Sequence, residues 1–246
     1  MWIENLQARH LADLRLPEVG RALTALSTIY VERRAGLARG AALDSRGKRA
    51  AFALFYGPLH FFTVSAIVHA LGIARLSVDH LLDLGCGTGA AGAAWARALA
   101  RPPQMHGVDR HPWAAQEATW TYRALELKGH ARVGDATDVR LPRGRTGVLA
   151  AYLVNEVPPD RRDRLRISLL EAASRGACVL VVEPIAKTVT PWWPAWQAAF
   201  GAAGGRADEW RFPADLPEPV ARLGHAAGLD YRELTARTLF MTSESP

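Results

Sequence analysis

A glycine-rich turn is the clearest ligand-binding feature of the 246-residue chain. A short apolar run leads into it, alanines follow it, and the turn itself reads Leu81-Leu82-Asp83-Leu84-Gly85-Cys86-Gly87-Thr88-Gly89. Glycines at alternate positions permit positive φ angles and let a ligand approach the main chain closely. The spacing Gly85-x-Gly87-x-x-Ala90 also fits the loose dinucleotide-binding fingerprint, in which a strand leads into a helix. We therefore expect a ligand held against this turn.

Acidic residues stand at the ends of three successive predicted strands. Asp83 precedes the first glycine by two residues, Asp109 ends the run that begins at Met105, and Asp135 follows the third strand. A carboxylate at the position of Asp109 can accept hydrogen bonds from both hydroxyls of a ribose. A lone Asp in a loop is more often a turn former, but three acids in this order are harder to explain as turns.

The glycine turn and the acid before it resemble those of class I S-adenosylmethionine-dependent methyltransferases, and the resemblance covers about residues 79 to 240. It implies that the turn leaves room for the methionine part of S-adenosylmethionine, whose amino group Asp83 helps to hold. It also implies that Asp135 faces the adenine amino group and that the N–H of Ala136 faces a ring nitrogen. The product would be S-adenosylhomocysteine, and no metal ion is expected. The cofactor-binding residues expected on this basis are Asp83, Gly85, Cys86, Gly87, Gly89, Asp109, Arg110, Asp135, Ala136 and Asn155.

Polar residues after the fourth and fifth predicted strands are candidates for catalysis. The fourth strand leads into Asn155 and Glu156, toward which the transferred methyl group points in the resembling family, and the fifth strand ends at Glu183. Methyl transfer is an in-line displacement, so an enzyme mainly supplies alignment and an unprotonated nucleophile. Glu156 is therefore a candidate general base, with helix capping or an ion pair to the arginines of 161–166 as its alternative role. Glu183 is expected to contact the substrate.

Aromatic residues outside the strand ends supply further candidates. His60 lies among aromatic residues and is a second candidate base, with simple packing as the alternative. Tyr56, beside it, is expected to contact the substrate. Trp192 and Trp196 are four residues apart and share a face if helical, so they could wall a pocket for a planar or cationic substrate. Packing of these tryptophans against the N-terminal helices is the alternative.

Short apolar strands that alternate with helices predict an α/β fold, a Rossmann-like methyltransferase sheet of seven strands with helices on both faces. The predicted strands are 80–84, 104–108, 131–133, 147–154 and 178–182, followed by a short one near Trp210 and a final one near 231–240. By the resemblance, the final strand inserts antiparallel between two others. The predicted helices are 90–100, 113–128, 160–174 with Asp160 as its N-cap, 195–203 and 216–227.

The first 78 residues predict a helical extension or lid packed over a methyltransferase domain that spans 79–246. Apolar residues recur there at steps of three and four, which places them on one helix face, at Leu16, Val19, Leu23, Leu26 and Tyr30. A second helix is predicted over 46–56, with a break at Gly57-Pro58 and a third helix over 60–71.

Composition limits the possible classes of protein. Apolar residues make up 49% and charged residues 22% of the chain, which excludes disorder as the main state. Cys86 and Cys178 have no metal-binding spacing, the first ten residues do not form a signal peptide, and the apolar stretch 50–72 is interrupted by proline and histidine. This stretch is a weak membrane candidate, and a reducing cytoplasm is the expected location.

Three functions remain open, and the favoured one is methyl transfer to a nitrogen or oxygen of a small molecule. The net charge of +6 keeps an RNA methyltransferase as the runner-up, and this alternative predicts an open cleft lined by arginines. The third is a non-catalytic cofactor-binding assembly factor. Residues 153–157 and 182–184 also have a weaker resemblance to the methyltransferase branch associated with the mitochondrial small ribosomal subunit, whose cysteine cluster this chain lacks. A closed pocket capped by residues 48–62 would favour the small molecule.

Overall fold

A seven-stranded sheet organises the protein in the computed structural model, which describes residues 2–32, 43–186 and 190–242. Its strands β1 to β7 are His80–Leu84, Gln104–Asp109, Gly129–Val133, Thr146–Ala151, Cys178–Glu183, Arg206–Pro213 and Glu233–Met241. They lie in the order β3-β2-β1-β4-β5-β7-β6. The first five strands pair in parallel, whereas β7 runs antiparallel to both β5 and β6. This topology confirms the predicted fold class.

Helices cover both faces of the sheet. The four helices before β1, which we call the early helices, are α1 to α4: Trp2–His10, Leu16–Glu32, Arg46–Ala51 and Gly57–Ala70. The helices after β1 are α5 to α9: Ala90–Ala98, Pro112–Ala124, Pro159–Ser174, Trp193–Ala202 and Glu218–Ala226. One apolar cluster joins α4, α5 and α6 to a sheet face that contains Leu81 and Leu149. A second cluster joins α7 and α8 to the opposite face, which contains Leu82 and Val148. Burial of both faces is the usual condition of a parallel sheet.

The early helices form a third apolar cluster with α9. Val19, Leu23 and Leu26 are fully buried in it, so the predicted apolar face of α2 is confirmed for these residues. The side chain of Tyr30 lies outside the described residues. The cluster also contains Phe55, Val220 and Leu223, through which the early helices reach across to α9.

Residues 46–70 form one continuous helix, so the predicted break at Gly57-Pro58 is wrong. A π-helical turn, Phe52–Tyr56, connects α3 to α4, and the N–H of Gly57 donates to the carbonyl of Phe52, five residues earlier. In a regular α-helix, the ring of Pro58 would collide with the carbonyl four residues before it. The wider π turn directly before Pro58 accommodates the ring, and the helix continues to Ala70.

This helix is also, within the described residues, long and apolar enough to cross a membrane by length and composition alone. It is instead a core helix, because 67% of its most apolar window is buried inside the protein. Val64, Ile67 and Val68 have no exposed surface and pack in the cluster that contains Leu81 and Trp95. Its hydropathy therefore reflects a position between the sheet and the other early helices.

Helix α7 begins one residue earlier than predicted, and its N-cap is Pro158 rather than Asp160. Pro159 occupies the first turn, where its missing N–H leaves no intrahelical bond unmade. Asp160 lies in that first turn, where its charge complements the positive end of the helix dipole. Gly176, just beyond the end of the helix, has a φ of +93°, a conformation that favours glycine at a helix C-terminus.

Candidate active site

A cavity of about 510 Å³ lies at the carboxyl ends of the parallel strands, which is where open α/β sheets bind their ligands. The glycine turn and the residues after β2 and β3 line one side of it. The segment after β4, the end of β5 and the helix that contains the π turn line the other side. The cavity therefore brings together all three strand-end acids and most of the residues that the sequence singled out.

The glycine turn adopts the conformation that its sequence predicts. Gly85, Gly87 and Gly89 have φ angles of +62°, +52° and +74°. Such angles strongly favour glycine. A Cβ atom on Gly89 would also lie 2.7 Å from the ring of Tyr122, because the start of α5 packs closely on α6. The N–H of Cys86 donates to the carbonyl of Val108 in β2, so the turn is tied to the neighbouring strand.

Asp83 is buried beneath the start of α5. Its carboxylate accepts hydrogen bonds from the N–H of Gly92 and from the hydroxyl of Tyr122, whose oxygen lies 3.5 Å from Oδ2. Burial raises the pKa of Asp83 to about 7, and the nearby charge of Asp109 contributes to the same shift. Burial and these two carboxylates also raise the pKa of the Cys86 thiol, which lines the cavity as an uncharged group. A cationic ligand group beside Asp83 would favour its ionised form.

Asp109 connects the end of β2 to the glycine turn. Its Oδ2 accepts a hydrogen bond from the N–H of Gly87 at 2.9 Å, and its Oδ1 accepts one from the N–H of His111 at 2.8 Å. Each carboxylate oxygen can accept two hydrogen bonds, so one acceptor site on each remains for a ribose hydroxyl. Asp109 and the exposed Arg110 both line the cavity. The geometry fits the predicted ribose contact, which stays a prediction.

Asp135 is held between its own loop and α7. Its Oδ1 accepts hydrogen bonds from the N–H and the hydroxyl of Thr137, and its Oδ2 pairs with Arg161 at 2.8 Å. Although partial burial raises the pKa of Asp135, these hydrogen bonds and the charge of Arg161 lower it overall, so the carboxylate stays ionised. Ala136 follows it on the cavity wall. Arg161 could not be predicted as a partner of Asp135, because α7 meets this loop only in the folded chain.

The end of β4 differs from the sequence prediction. The strand stops at Ala151, and Tyr152 has a positive φ of +57°, a conformation that is uncommon for a residue with a side chain. The ring of Tyr152 stacks on His60, with 4.0 Å between the ring centroids and 17° between the planes. Both rings line the cavity. His60 was predicted as a site residue from the sequence. Tyr152 was instead assigned to a longer strand, 147–154, because Ala151, Tyr152 and Leu153 are all apolar.

Glu183 braces the segment that follows β4. It is fully buried, and its two carboxylate oxygens accept hydrogen bonds from the N–H of Val154 at 2.8 Å and from the side-chain amide of Asn155 at 2.7 Å. The amide oxygen of Asn155 in turn accepts a hydrogen bond from the indole of Trp192. Arg162 donates to the carbonyls of both Val154 and Asn155. Glu183 and Asn155 both line the cavity as well, so the expected substrate contact of Glu183 and cofactor contact of Asn155 stay predictions beside this structural role.

Glu156 and Tyr56 line the cavity on its β4 and helical sides, and both are partly buried. Burial raises the pKa of Tyr56 to about 12 and lowers the pKa of His60 to about 3. His60 is therefore uncharged at neutral pH, but it is too weakly basic to hold a proton there. Its proposed role as a general base stays a prediction that this pKa disfavours, whereas Glu156 stays a candidate.

The tryptophan segment requires a correction. Trp196 is 1% exposed and stacks on Phe200 in the apolar cluster on the α7 and α8 side of the sheet. Trp192 packs at the edge of the same cluster. Neither is among the described residues that line the cavity, and neither belongs to the cluster of the early helices. The two rings contact each other, with 4.9 Å between their centroids, as their spacing suggests, but the sequence could not show that they pack in this apolar cluster rather than against a ligand.

The charged residues that line the cavity fit the cationic cofactor that the resemblance implies. Five carboxylates and one arginine, Arg110, are found among the described lining residues, so the wall has an excess of negative charge. Glycines allow a ligand to approach the main chain, and Asp83 and Asp109 stand on either side of the turn. A ligand with a sulfonium and an ammonium group would be attracted to this wall.

Comparisons with known proteins agree with this geometry. Residues 81–172 match a family described as a methyltransferase domain. Over 145 residues, the chain is 26% identical to a carboxy-S-adenosyl-L-methionine synthase of Dichelobacter nodosus, and the match covers 56% of this chain and 61% of that protein. The chain thus spans less than two thirds of the length of this curated relative.

Solved structures of methyltransferases share the fold at low sequence identity. The N-methyltransferase NodS from Bradyrhizobium japonicum, in complex with S-adenosyl-L-homocysteine, is 12% identical, with a TM-score of 0.51 over 73% of this chain and 86% of that one. The plantazolicin methyltransferase BpumL is 11% identical, with a TM-score of 0.53 over 96% and 99% of the two chains. The mitomycin 7-O-methyltransferase MmcR is 14% identical, with a TM-score of 0.56 over 98% and 72%. In its matched segment, its strand order and its glycine turn with three acids, this chain is similar to class I S-adenosylmethionine-dependent methyltransferases.

Proposed function

We propose that the protein transfers the methyl group of S-adenosylmethionine to a nitrogen or oxygen atom of a small molecule. The observation that carries this proposal is the wall opposite the strand ends. It consists of side chains from the continuous helix 46–70, and Phe52, Tyr56 and His60 from this helix face the cavity. A cavity covered in this way suits a compact substrate, which is the arrangement that favours a small molecule over RNA.

S-adenosylmethionine supplies a methyl group already activated on a sulfonium centre. The chain's own residues are then needed for alignment and for handling one proton. Asp83 would hold the amino group of the cofactor and Asp109 its ribose hydroxyls, both beside the glycine turn. Glu183 fixes the position of the segment that follows β4. Glu156, at the end of that segment, accepts the proton that the nucleophile loses.

The position of the arginines supports a small molecule over RNA. The densest arginine run lies on α7, but Arg161 pairs with Asp135 and Asp138, and Arg162 donates to backbone carbonyls of the cavity wall. These side chains are thus engaged within the protein. Arg110 is the one arginine among the described residues that line the cavity. An RNA site would need several cations near the methyl group to contact phosphates.

A mass-spectrometric screen tests the proposal. The protein is incubated with S-adenosylmethionine and, in separate reactions, with a small-molecule extract and with total RNA. The expected result is a small molecule that gains one methyl group while S-adenosylhomocysteine accumulates in equal amount. Methylated RNA nucleosides without a methylated small molecule would contradict the proposed substrate class. A carboxylated form of the cofactor would instead indicate the activity that the name of the Dichelobacter nodosus relative states. Tight cofactor binding without any product would favour an assembly factor.

A further inference from the structure

Aromatic rings are grouped in one part of the cavity, between the glycine turn and the end of β4. We call this part the acceptor chamber and define it by Phe52, Tyr56, His60, Tyr152 and Tyr231, all of which line the cavity. The first three are spaced four residues apart on the continuous helix, so they lie along one face of it. The centroids of Phe52 and Tyr56 are 5.8 Å apart, and those of Tyr56 and His60 are 6.0 Å apart. The rings therefore form one connected surface.

Phe52 places this surface next to the cofactor turn. A Cβ atom on Gly87 would lie 3.4 Å from its ring, so the ring packs directly against the main chain of the turn. At the other end of the row, Tyr152 stacks on His60. The chamber thus extends from the glycine turn to the end of β4, which is the space where a methyl acceptor must lie.

The backbone of Tyr152 indicates that the position of its ring is strongly constrained. A positive φ at a residue with a side chain costs about 1–3 kcal/mol and persists only where the surrounding structure imposes it. Here the N–H of Tyr152 donates to the carbonyl of Val182, and the following residue, Leu153, packs against Gly85. The conformation turns the ring out of the strand and onto His60.

Among the described residues, the chamber holds no positively charged side chain, because its one basic residue, His60, is neutral. Burial keeps His60 unprotonated, since it lowers the pKa to about 3, and it keeps Tyr56 protonated, since it raises the pKa to about 12. Arg110 lies on the cofactor side, near Asp135. The charged residues that line the β4 and β5 side of the cavity are acidic, namely Glu156 and Glu183. A phosphate or carboxylate bound among these rings would lose its hydration without gaining a cation.

We propose that the acceptor chamber binds a planar aromatic methyl acceptor that carries no negative charge. This inference rests on the proposed methyl transfer, and it names the class of small molecule that the reaction uses. Flat rings bind to aromatic side chains by offset stacking and edge-to-face contacts, which non-planar rings cannot reproduce. The neighbouring carboxylates add repulsion against anions, so the chamber selects by shape and by charge together.

Binding of matched probes tests this inference without requiring turnover. Benzamide is planar and neutral, benzoate is planar and anionic, and cyclohexanecarboxamide is neutral and not planar. Each is titrated into protein saturated with S-adenosylhomocysteine, and the dissociation constant is measured by ligand-observed NMR. We expect benzamide to bind about tenfold more tightly than either of the other two, a difference of about 1.4 kcal/mol. Equal or tighter binding of benzoate or cyclohexanecarboxamide, or no binding of benzamide, would overturn the proposal.

Variants separate the chamber from the rest of the site. Tyr152→Leu and Tyr56→Leu should each weaken benzamide binding about tenfold while S-adenosylhomocysteine still binds. Phe61→Leu is the control, because Phe61 lies on the same helix but packs against Trp2 and is not among the described lining residues. Unchanged benzamide binding in both tyrosine variants would contradict the inference. If the unmodified protein does not bind S-adenosylhomocysteine at all, the proposed methyl transfer is wrong. Failure of the aromatic acceptor alone leaves S-adenosylhomocysteine binding intact, so the two results can be told apart.

Discussion

A Cβ atom on Gly92 would lie 2.4 Å from Oδ2 of Asp83. Real Cβ atoms do not approach an oxygen so closely, so the buried carboxylate occupies space that only a glycine leaves free. The same glycine donates its N–H to that carboxylate. Gly92 therefore determines where the carboxylate of Asp83 can lie.

Gly92→Ala should destabilise the protein. The added methyl group must displace Asp83 or shift α5, which costs about 1–3 kcal/mol and outweighs the roughly 1 kcal/mol by which alanine favours a helix. Gly201→Ala in α8 is the matched control, because nothing lies within 4 Å of its added Cβ atom. Chemical denaturation should give a lower free energy of unfolding for the first variant and an unchanged or higher one for the second. Equal stabilisation of both would contradict the close contact.

The stability of the cofactor-free protein should fall as the pH rises from about 4 to about 7. Asp83 has a pKa of about 7 in the folded protein and about 3.9 in an unfolded chain, so in this interval the folded state keeps a proton that the unfolded state has released. The loss amounts to roughly 4 kcal/mol at most. Asp83→Asn mimics the protonated acid and removes this dependence. The variant should thus gain stability relative to the unmodified protein across the interval, as measured by denaturation at each pH, whereas parallel curves would refute the raised pKa.

Asp109→Ala should weaken binding of S-adenosylhomocysteine about 100-fold or more. The substitution removes the acceptor for the N–H groups of Gly87 and His111 together with the predicted acceptor for the ribose hydroxyls. Hydrogen bonds to a charged group contribute about 1.5–3 kcal/mol each. Asp163→Ala, at an exposed acid of α7, is the control and should leave the affinity unchanged. Calorimetric titration measures both, and wild-type affinity in the Asp109 variant would exclude its role.

Glu183→Gln should lower the free energy of unfolding by about 1–3 kcal/mol. An amide cannot accept hydrogen bonds at both ends, so either the N–H of Val154 or the amide of Asn155 loses its buried partner. Glu233→Gln is the comparison, because Glu233 is half exposed and its pair with Arg211 contributes at most about 1 kcal/mol. If the two substitutions have equally small effects on chemical denaturation, Glu183 does not brace this segment.

Glu156→Gln should slow methyl transfer about 100-fold or more and leave the affinity for S-adenosylhomocysteine nearly unchanged. The amide keeps the shape of the side chain but cannot accept the proton of the nucleophile. Glu171→Gln, an exposed position on α7, is the control for rate measurements with the acceptor that the screen identifies. Turnover at the level of the unmodified protein would exclude Glu156 as an essential base.

The sequence predicted the features that depend on local pattern. β1 was predicted at its observed bounds, because its apolar run is followed at once by glycines that end a strand. The side chains whose role depends on a distant partner were not predictable in this way. The spacing could place Trp196 on a helix face but not in the apolar cluster that buries it. Tyr152 could not be distinguished from a strand residue, because its positive φ accompanies contacts with Val182 and His60 that are distant in sequence. The prediction of a helix break at Pro58 was wrong, because a π turn directly before it leaves room for the proline ring. Such a turn has no simple sequence signature.

The burial of α4 in the core of the sheet determines where this chain can be joined to a different N-terminal segment. The family match begins at Leu81, but Val64, Ile67 and Val68 cover the same sheet face as Trp95. A chimera that replaced everything before β1 would therefore exchange part of the core of the sheet along with the chamber wall. A junction before Arg46 retains both, and a helix grafted at α1 or α2 could then vary without replacing any residue of the acceptor chamber.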